Sequence, residues 1–237
     1  MSIEERKSRK QEFLEIALEL FYQKGFENST INDIIEEAGV SKGAFYHYFV
    51  SKEEVLETIA RQYVEKKLNV IENIAGKADL NSLEKINQIS EDMFGFKMRH
   101  AEMRWKIYKI IARNNNIKLE NQILEYSLEL SRPIYHKIIM QGIAEGTFNI
   151  NYPEEVTELY IHLNSIFNKM SSKIIIDSFE SDLDDLETLK RKMMEPKCIE
   201  ILTRRFAFYE ETLERTLGIE RGSIKLVEPL LEKLKHL

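Results

Sequence analysis

The chain has 237 residues, which is enough for one large domain or two modest ones. Its 43% hydrophobic content supports a buried core, and only 9 glycines and 4 prolines beside 31% charged residues favour helices over a β-rich fold. A single cysteine, Cys198, excludes an internal disulfide and fits the reducing cytoplasm, while no signal peptide or membrane span is expected from the apolar pattern.

The first predicted helix spans residues 8–24. Apolar side chains recur there at the three- and four-residue spacing of a buried helical face, and Gly25 follows where the helix should end. The buried positions of this helix are Phe13, Ile16, Ala17, Leu20 and Phe21.

The next segment predicts two short helices joined by a tight glycine turn, which is the arrangement of a helix-turn-helix. Thr30 can cap the first helix, with Asp33 as its capping-box partner three residues on. Gly39 follows that helix, where a left-handed residue is favoured, and Ser41 can cap a second helix over residues 42–49.

The second of these helices has two different faces. Its inner face carries Phe45, Tyr48 and Phe49. Its outer face carries Lys42, Gly43, Tyr46 and His47. A cation, a phenol and an imidazole can donate to phosphates or base edges, and a glycine lets the backbone approach closely, so the outer face suits a polyanion.

The net charge of −6 disfavours indiscriminate nucleic-acid binding, so its distribution matters. Residues 1–50 hold six lysines and arginines against nine acids. The segment from Ala38 to Lys52 nevertheless contains no acid and holds Lys42 as well as Lys52. Because charges are screened over about 10 Å, this local balance outweighs the distant sum.

The stretch from Gln11 to Leu56 resembles the TetR (tetracycline-repressor) family of bacterial transcription regulators. The resemblance is carried by ALELFYQKGFENSTINDIIEEAGVSKGAFYHYFVSKEEVL, a long and specific string. It implies a homodimer that binds a palindromic operator on double-stranded DNA. It also implies a small-molecule effector, bound in the C-terminal core, that changes the spacing of the two DNA-binding heads.

The resemblance also implies which residues contact DNA. By position they are Thr30, Ser41, Lys42, Gly43, Tyr46, His47, Tyr48 and Lys52. The family often has Tyr-His-Phe where this chain has His47, Tyr48 and Phe49. Which of His47 and Tyr48 meets a phosphate, and which reads a base, therefore stays open.

The expected fold is all-α, with a helix-turn-helix domain over residues 1–50 and a larger helical effector-binding and dimerisation domain over residues 51–237. A long helix over 51–75 links the two domains. Further helices are expected over 82–99, 101–113, 117–145, 154–176 and 197–217, with a short amphipathic one in the tail 226–237.

Two local features of the second half bear on these expectations. Pro133 should kink or restart the helix around it. Residues 177–187 hold six acids and are interpreted as a solvated connection, because neither a histidine nor a fixed ligand spacing supports a metal site. No metal and no cofactor are expected.

The helices over 154–176 and 197–217 carry apolar stripes, which are usually intramolecular core. In the family the corresponding pair of helices forms a four-helix interface with its symmetry mate. A protein that binds a palindromic operator also needs two-fold symmetry, so we favour a homodimer through these helices. The short tail helix is expected to cover the C-terminal domain.

The middle of the chain is rich in bulky side chains, among which the resemblance places an effector pocket. An apolar lining with few polar anchors suits an apolar or amphipathic ligand. The candidate lining residues are Phe94, Met98, Trp105, Tyr108, Tyr126 and Phe167, with Trp105 and Tyr108 as the preferred pair. The ordinary alternative for each of them is core packing.

Two other functions compete with that of a ligand-responsive regulator. A helical protein-interaction dimer that no longer reads DNA is disfavoured by the intact outer face of the second short helix. An all-helical enzyme has less support, because no glycine-rich phosphate loop, HExxH or CxxC pair is present and Cys198 has no evident base.

Overall fold

A computed structural model describes residues 3–113, 117–177 and 186–234. These residues form helices and connections without a strand, as the sequence predicted. The helices are α1 Ile3–Gln23, α2 Ile31–Glu37, α3 Lys42–Tyr46, α4 Lys52–Ala75, α5 Ser82–Arg99, α6 Ala101–Arg113, α7 Ile117–Ala144, α8 Pro153–Asp177, α9 Leu186–Met193, α10 Pro196–Leu217 and α11 Val227–Leu234. None of them is long and apolar enough to cross a membrane.

Most predicted bounds agree with the structure to within two residues, but two do not, and α9 was not predicted. Helix α1 begins at Ile3, five residues early, and α3 ends at Tyr46 rather than at 49. Pro133 neither ends nor restarts α7, which continues through it. The acidic connection lies mostly at 178–185, outside the described residues.

The chain divides into two compact units. The first comprises Met1–Lys66 and Glu102–Tyr126, and the second comprises Lys67–Ala101 and Ser127–Leu237. The predicted 1–50 domain lies within the first unit, which also takes in more than half of α4. The functional boundary at residue 50 stays a prediction.

The core of the first unit is built around the aromatic side chains of α1 and α3. Phe13 is fully buried, with its ring centroid 5.8 Å from that of Phe45. Ile34 of α2 and Leu56 of α4 are buried in the same cluster. The helix-turn-helix is therefore fixed in position by packing on α1 and α4, where large apolar side chains leave water.

The second unit is organised around α8 and α10, which contact each other. Each supplies a buried tyrosine, Tyr160 and Tyr209 respectively. Helix α7 adds Tyr135, whose ring centroid is 5.1 Å from that of Tyr160. Burial holds the pKa of Tyr135 well above its usual value and raises that of Tyr160 to about 12, so both phenols keep their protons.

The C-terminal tail is tied back onto this unit by a buried acid of α10. The carboxylate of Glu214 accepts hydrogen bonds from the backbone N–H groups of Gly222 at 2.7 Å and Ile224 at 3.0 Å. Helix α11 then packs on α5 and α10, with Leu230 and Leu234 buried. The tail thus covers the second unit, as expected from its amphipathic pattern.

Candidate nucleic-acid interface

The start of α2 is fixed by a reciprocal capping box. Thr30 Oγ1 accepts from the backbone N–H of Asp33 at 3.1 Å, and Asp33 Oδ2 accepts from the backbone N–H of Thr30 at 2.7 Å. The Lys24 ammonium lies 2.9 Å from the other carboxylate oxygen. The Thr30 hydroxyl and then Lys24 hold the pKa of Asp33 well below its usual range.

Gly39 makes the turn between α2 and α3. Its φ of +62° lies in the left-handed region, which side chains on Cβ disfavour. The turn brings Ser41 into an extended conformation, from which its Oγ accepts the backbone N–H of Ala44 at 3.2 Å. The capped start of α2 and the glycine turn into the capped start of α3 therefore both form as the sequence predicted.

Helix α3 presents one buried and one exposed face. Phe45 is buried on the core side. The four residues predicted for the outer face are all exposed: Lys42, Gly43, Tyr46 and His47. The Lys42 ammonium lies 5.9 Å from the centroid of the Tyr46 ring, so the cation and the phenol occupy one patch. We call Lys42, Gly43, Tyr46 and His47 the outer patch.

Gly43 of the outer patch has no structural reason to be glycine. It lies in the first turn of α3 and does not have a positive φ. A methyl group added to it would meet nothing within 4 Å. A glycine normally weakens a helix relative to alanine. A ligand that approaches the backbone closely would account for its presence.

Tyr48 lies elsewhere than the outer patch. It is half-buried, packs against the core, and has its ring centroid 5.5 Å from that of Phe13. Of the two residues that the resemblance left open, His47 is therefore the one on the exposed face.

Lys52 has a role that the sequence did not predict. Its ammonium donates to the backbone carbonyls of Phe26 at 2.8 Å, Ser29 at 3.3 Å and Glu27 at 3.4 Å, and lies 4.5 Å from the Phe26 ring centroid. An ammonium has three N–H donors, so these carbonyls can take all of them. Lys52 thereby clamps the α1–α2 connection to α4, and its phosphate contact stays a prediction.

Thr30 and Ser41 are exposed at the two helix starts, so neither is excluded from a contact by burial. The Thr30 hydroxyl donates to Asp33 Oδ2 at 2.7 Å as part of the capping box. The Ser41 hydroxyl accepts in its cap, which leaves its O–H as a donor. Lys10 of α1 adds an ammonium 5.3 Å from the Phe49 ring centroid, at the end of the helix-turn-helix.

The second unit contains a cavity of about 180 Å³ among α4, α5, α7, α8 and α10. Two of the six predicted ligand-binding residues, Phe94 and Phe167, line it. Met98 does not line it, and the remaining three predicted residues, Trp105, Tyr108 and Tyr126, belong to the first unit. The structure thus does not bring the six together.

The three predicted residues in the first unit have other surroundings. Trp105 is buried and stacks on Tyr108 with ring centroids 6.2 Å apart. The Tyr126 hydroxyl donates to Glu65 Oε1 at 2.7 Å, and the Arg61 guanidinium lies 4.0 Å from the Tyr126 ring centroid.

The cavity also contains polar residues that the sequence interpretation missed. Lys67 and Lys97 line it, and so does the buried Tyr209. A sequence signal existed for both lysines, because each falls within an apolar stripe. Lys67 stands four positions before Ile71, and Lys97 stands four positions after Met93.

Cys198, the candidate nucleophile that the sequence analysis weighed, is poorly placed for nucleophilic chemistry. Cys198 is buried, and burial followed by the nearby Glu195 raises the pKa of its thiol, which disfavours the nucleophilic thiolate. Within the ranges that the structure describes, no group of three His, Cys, Asp or Glu residues could hold a metal ion.

Comparison with known proteins identifies the family. A family model described as bacterial regulatory proteins, tetR family, matches residues 13–59, which include the helix-turn-helix. The HTH-type transcriptional repressor KstR2 of Rhodococcus jostii is 37% identical over 159 residues, which cover 64% of this chain and 73% of the relative.

Solved structures share the fold. A TetR-family transcriptional regulator from Syntrophomonas wolfei superposes with a TM-score of 0.61 at 22% identity, covering 92% of this chain and 99% of the other. SmeT in complex with triclosan superposes with a TM-score of 0.60 at 16% identity, covering 92% and 95%. The chain belongs to the TetR family of bacterial regulatory proteins and is a helix-turn-helix transcription regulator.

Proposed function

We propose that this regulator is a repressor that binds a palindromic operator as a homodimer and is released by a small apolar or amphipathic effector. The observation that carries the DNA-binding part is the outer patch. It is exposed, it lies in a segment without acids, and it contains a glycine that the fold itself does not need.

Within the outer patch, the residues take different parts in the proposed contact. Lys42 supplies charge to a phosphate, while Tyr46 and His47 reach base edges in the major groove. Gly43 lets the backbone of α3 come close to the DNA. Ser41 adds a hydroxyl donor at the start of the helix.

Exposed apolar residues on α8 support the homodimer. Leu159, Ile166 and Met170 recur along one side of the helix and are between 47% and 53% exposed. The stripe predicted on α10 is different, since Leu202, Tyr209 and Leu213 are buried within the second unit. We therefore assign the proposed dimer contact mainly to α8, with α10 contributing through its 69% exposed Phe208.

The cavity of the second unit supports an effector. It is walled by aromatic and aliphatic side chains, among them Phe94, Phe167 and Ile89, and it also offers polar groups for orientation. SmeT, which shares the fold, is complexed with triclosan. An effector bound here would lower operator affinity by favouring a protein state that binds DNA less well.

Selection from random duplex DNA tests the proposal. The purified full chain should enrich an inverted repeat whose half-sites are read by two copies of α3. Tyr46→Ala should abolish this specific binding without unfolding the protein, whereas Tyr152→Ala, which replaces a tyrosine that is 69% exposed in the second unit, should have no effect. A chain that folds but enriches no sequence would favour the protein-interaction dimer instead.

A further inference from the structure

The wall of the cavity in the second unit contains a buried hydroxyl group whose hydrogen-bonding capacity is unused within the described residues. Tyr209 on α10 lines the cavity and is 5% exposed. Among the buried side-chain nitrogen and oxygen atoms of the described lining, its hydroxyl oxygen is the one without a hydrogen-bond partner. A buried hydroxyl without a partner is costly, and native proteins rarely keep one unless a ligand or water completes it. An occupant of the cavity therefore gains a hydrogen bond if it reaches Tyr209.

The ring of Tyr209 is held in place by aromatic neighbours. Its centroid lies 4.0 Å from that of Phe167 on α8, and the two ring planes differ by only 19°. Phe206, also on α10, meets Phe167 edge to face with centroids 4.6 Å apart. Because a phenol oxygen lies in the plane of its ring, this packing also holds the Tyr209 hydroxyl in position. A donor that is already in position loses little entropy when a ligand binds.

The phenols around the cavity are neutral. Tyr135 on α7 and Tyr160 on α8 line the cavity together with Tyr209. Burial raises the pKa of Tyr160 to about 12 and holds the pKa of Tyr135 and of Tyr209 further above the usual value. All three phenols therefore keep their protons at neutral pH, and a ligand atom beside Tyr209 meets an O–H donor.

The Tyr209 hydroxyl needs an acceptor, and its burial favours an uncharged one. A carbonyl oxygen accepts the bond and loses only the hydration of a neutral group, whereas an ion loses far more hydration energy at a buried position. Other donors of the lining have protein acceptors. Lys67 donates to Ser127 Oγ at 3.0 Å, and Lys97 donates to Asn168 Oδ1. A ligand can use Tyr209 without breaking a hydrogen bond of this kind.

The size and the walls of the cavity describe the rest of the ligand. An apolar cavity of about 150 Å³ holds benzene, so about 180 Å³ holds one ring with a short substituent. Phe94 and Phe167 contribute aromatic walls, and Ile89 and Ile161 contribute aliphatic ones. Flat apolar bodies pack well against aromatic rings. The cavity is therefore suited to a single aromatic ring.

We propose that the cavity binds a small, uncharged aryl ketone, whose ring packs among Phe94, Phe167 and Ile89 and whose carbonyl oxygen accepts a hydrogen bond from the Tyr209 hydroxyl. This inference rests on the proposed effector-binding function and deepens it by naming the chemical class of the effector. Acetophenone, a benzene ring with an acetyl group, is a simple member of this class and serves as the probe.

Two ligands of equal shape test the hydrogen bond. Isopropenylbenzene has the planar skeleton of acetophenone with a methylene group in place of the carbonyl oxygen, so it accepts no hydrogen bond from Tyr209. Ligand-observed NMR titration of the full chain without DNA gives the ratio of the two affinities in wild type and in Tyr209→Phe. Because the hydration of each ligand is the same in both experiments, a change in the ratio measures the contribution of the hydroxyl. We expect acetophenone to lose about three- to tenfold relative to isopropenylbenzene in Tyr209→Phe.

A control variant and a stability measurement separate a ligand contact from a structural role. Tyr152→Phe should leave the affinity ratio unchanged, because that tyrosine is 69% exposed and lies outside the cavity. Since the Tyr209 hydroxyl has no partner within the described residues, its removal should leave Tm unchanged or raise it. A lower Tm of Tyr209→Phe together with an unchanged affinity ratio would contradict the assignment.

The possible results distinguish this inference from the proposed function. An unchanged affinity ratio, or failure of acetophenone to bind at millimolar concentration, overturns the ketone inference while selection of an operator can still succeed. Benzoate has the same skeleton with a charged head group, and a larger loss of affinity for benzoate than for acetophenone in Tyr209→Phe would also overturn it. Binding of acetophenone through Tyr209 by a chain that enriches no DNA sequence supports the inference and removes the repressor.

Discussion

Two exposed glycines of the helix-turn-helix are present for different reasons. Gly39 has a positive φ that the turn requires, whereas Gly43 lies in the first turn of α3, with open space around it and without a positive φ. The sequence alone showed two glycines four positions apart. Only the backbone conformation separates a glycine needed for folding from one available for function.

Replacing each glycine by alanine should therefore have opposite effects on stability. Gly39→Ala should lower the free energy of unfolding by about 1 kcal/mol, because Cβ opposes a left-handed residue. Gly43→Ala should raise it by about 0.5 kcal/mol and yet weaken operator binding, because Cβ would stand between α3 and DNA. Chemical denaturation and gel-shift titration measure the two quantities, and unaltered operator affinity in Gly43→Ala would count against a close approach.

Replacing the two lysines of the acid-free segment, Lys42 and Lys52, should also have different effects. Lys42→Met should leave stability unchanged and reduce the log–log salt slope of operator binding by about 0.9 for each phosphate that is no longer neutralised, hence by about 1.8 for a dimer. Lys52→Met should leave that slope unchanged and lower the free energy of unfolding by about 1 kcal/mol, because three backbone carbonyls would be without their donor.

Binding titrations at several salt concentrations, together with denaturation curves, measure both effects. If the slope fell in Lys52→Met and stability did not, the clamp would be refuted and the phosphate contact restored.

The carboxylate of Asp33 should make the helix-turn-helix sensitive to acid. Its pKa is depressed in the folded chain, so its contribution to stability is present above the pKa of an unfolded aspartate, about 3.9, and is lost as pH falls below that value. Asp33→Asn should therefore be less stable than wild type at pH 7, and the difference should shrink below about pH 4. Denaturation across this pH range is the measurement, with the exposed Asp79→Asn as control.

At the scale of helices, the sequence predicted existence and type well because the apolar stripes are long and regular. The exceptions are α9, which was not predicted, and short α3, which was predicted too long. The Tyr48 N–H bonds to the Phe45 carbonyl three residues back, so the last turn tightens and the regular helix stops at Tyr46. The helix was predicted to residue 49 from the spacing of Phe45, Tyr48 and Phe49. That spacing indicates which side chains face the core, and a tightened turn can place them there as well as a regular helix can.

The exposed apolar side of α8 leads to a prediction about dimer formation. Met170→Glu should convert the proposed dimer into a monomer and abolish operator binding, because a carboxylate cannot leave water at an apolar contact. Met140→Glu on α7 is the matched control, since its methionine is 44% exposed against 47% for Met170. Sedimentation analysis gives the oligomeric state, and a Met170→Glu chain that remained dimeric would move the contact away from α8.

At the scale of the whole molecule, the cavity was the least predictable feature. Its lining residues are separated by up to 159 positions along the chain, the distance from Lys67 to Leu226. An apolar stripe on a helix shows which side chains become buried but not which helices pack together. As cavity-lining residues, Trp105 and Tyr108 were therefore as plausible as Phe94 and Phe167. Contacts between distant segments decide this, and they are invisible in one sequence.

Effector and operator should act on each other reciprocally. If an effector lowers operator affinity by some factor, then operator DNA must lower the affinity for that effector by the same factor, because both are equilibrium effects on one protein. Titrating the effector with and without saturating operator measures one side, and titrating operator with and without the effector measures the other. Unequal factors would show that the two ligands are not bound by the same dimer.

The clamp formed by Lys52 has a physiological consequence. If that ammonium stays bound to carbonyls when DNA binds, Lys42 is the one lysine or arginine from Ala38 to Lys52 that can neutralise a phosphate. Each phosphate contact that is not made lowers the number of counterions released, so promoter occupancy changes less when a bacterium under osmotic stress gains or loses potassium. Gene control by this protein would then follow its effector rather than the water balance of the cell.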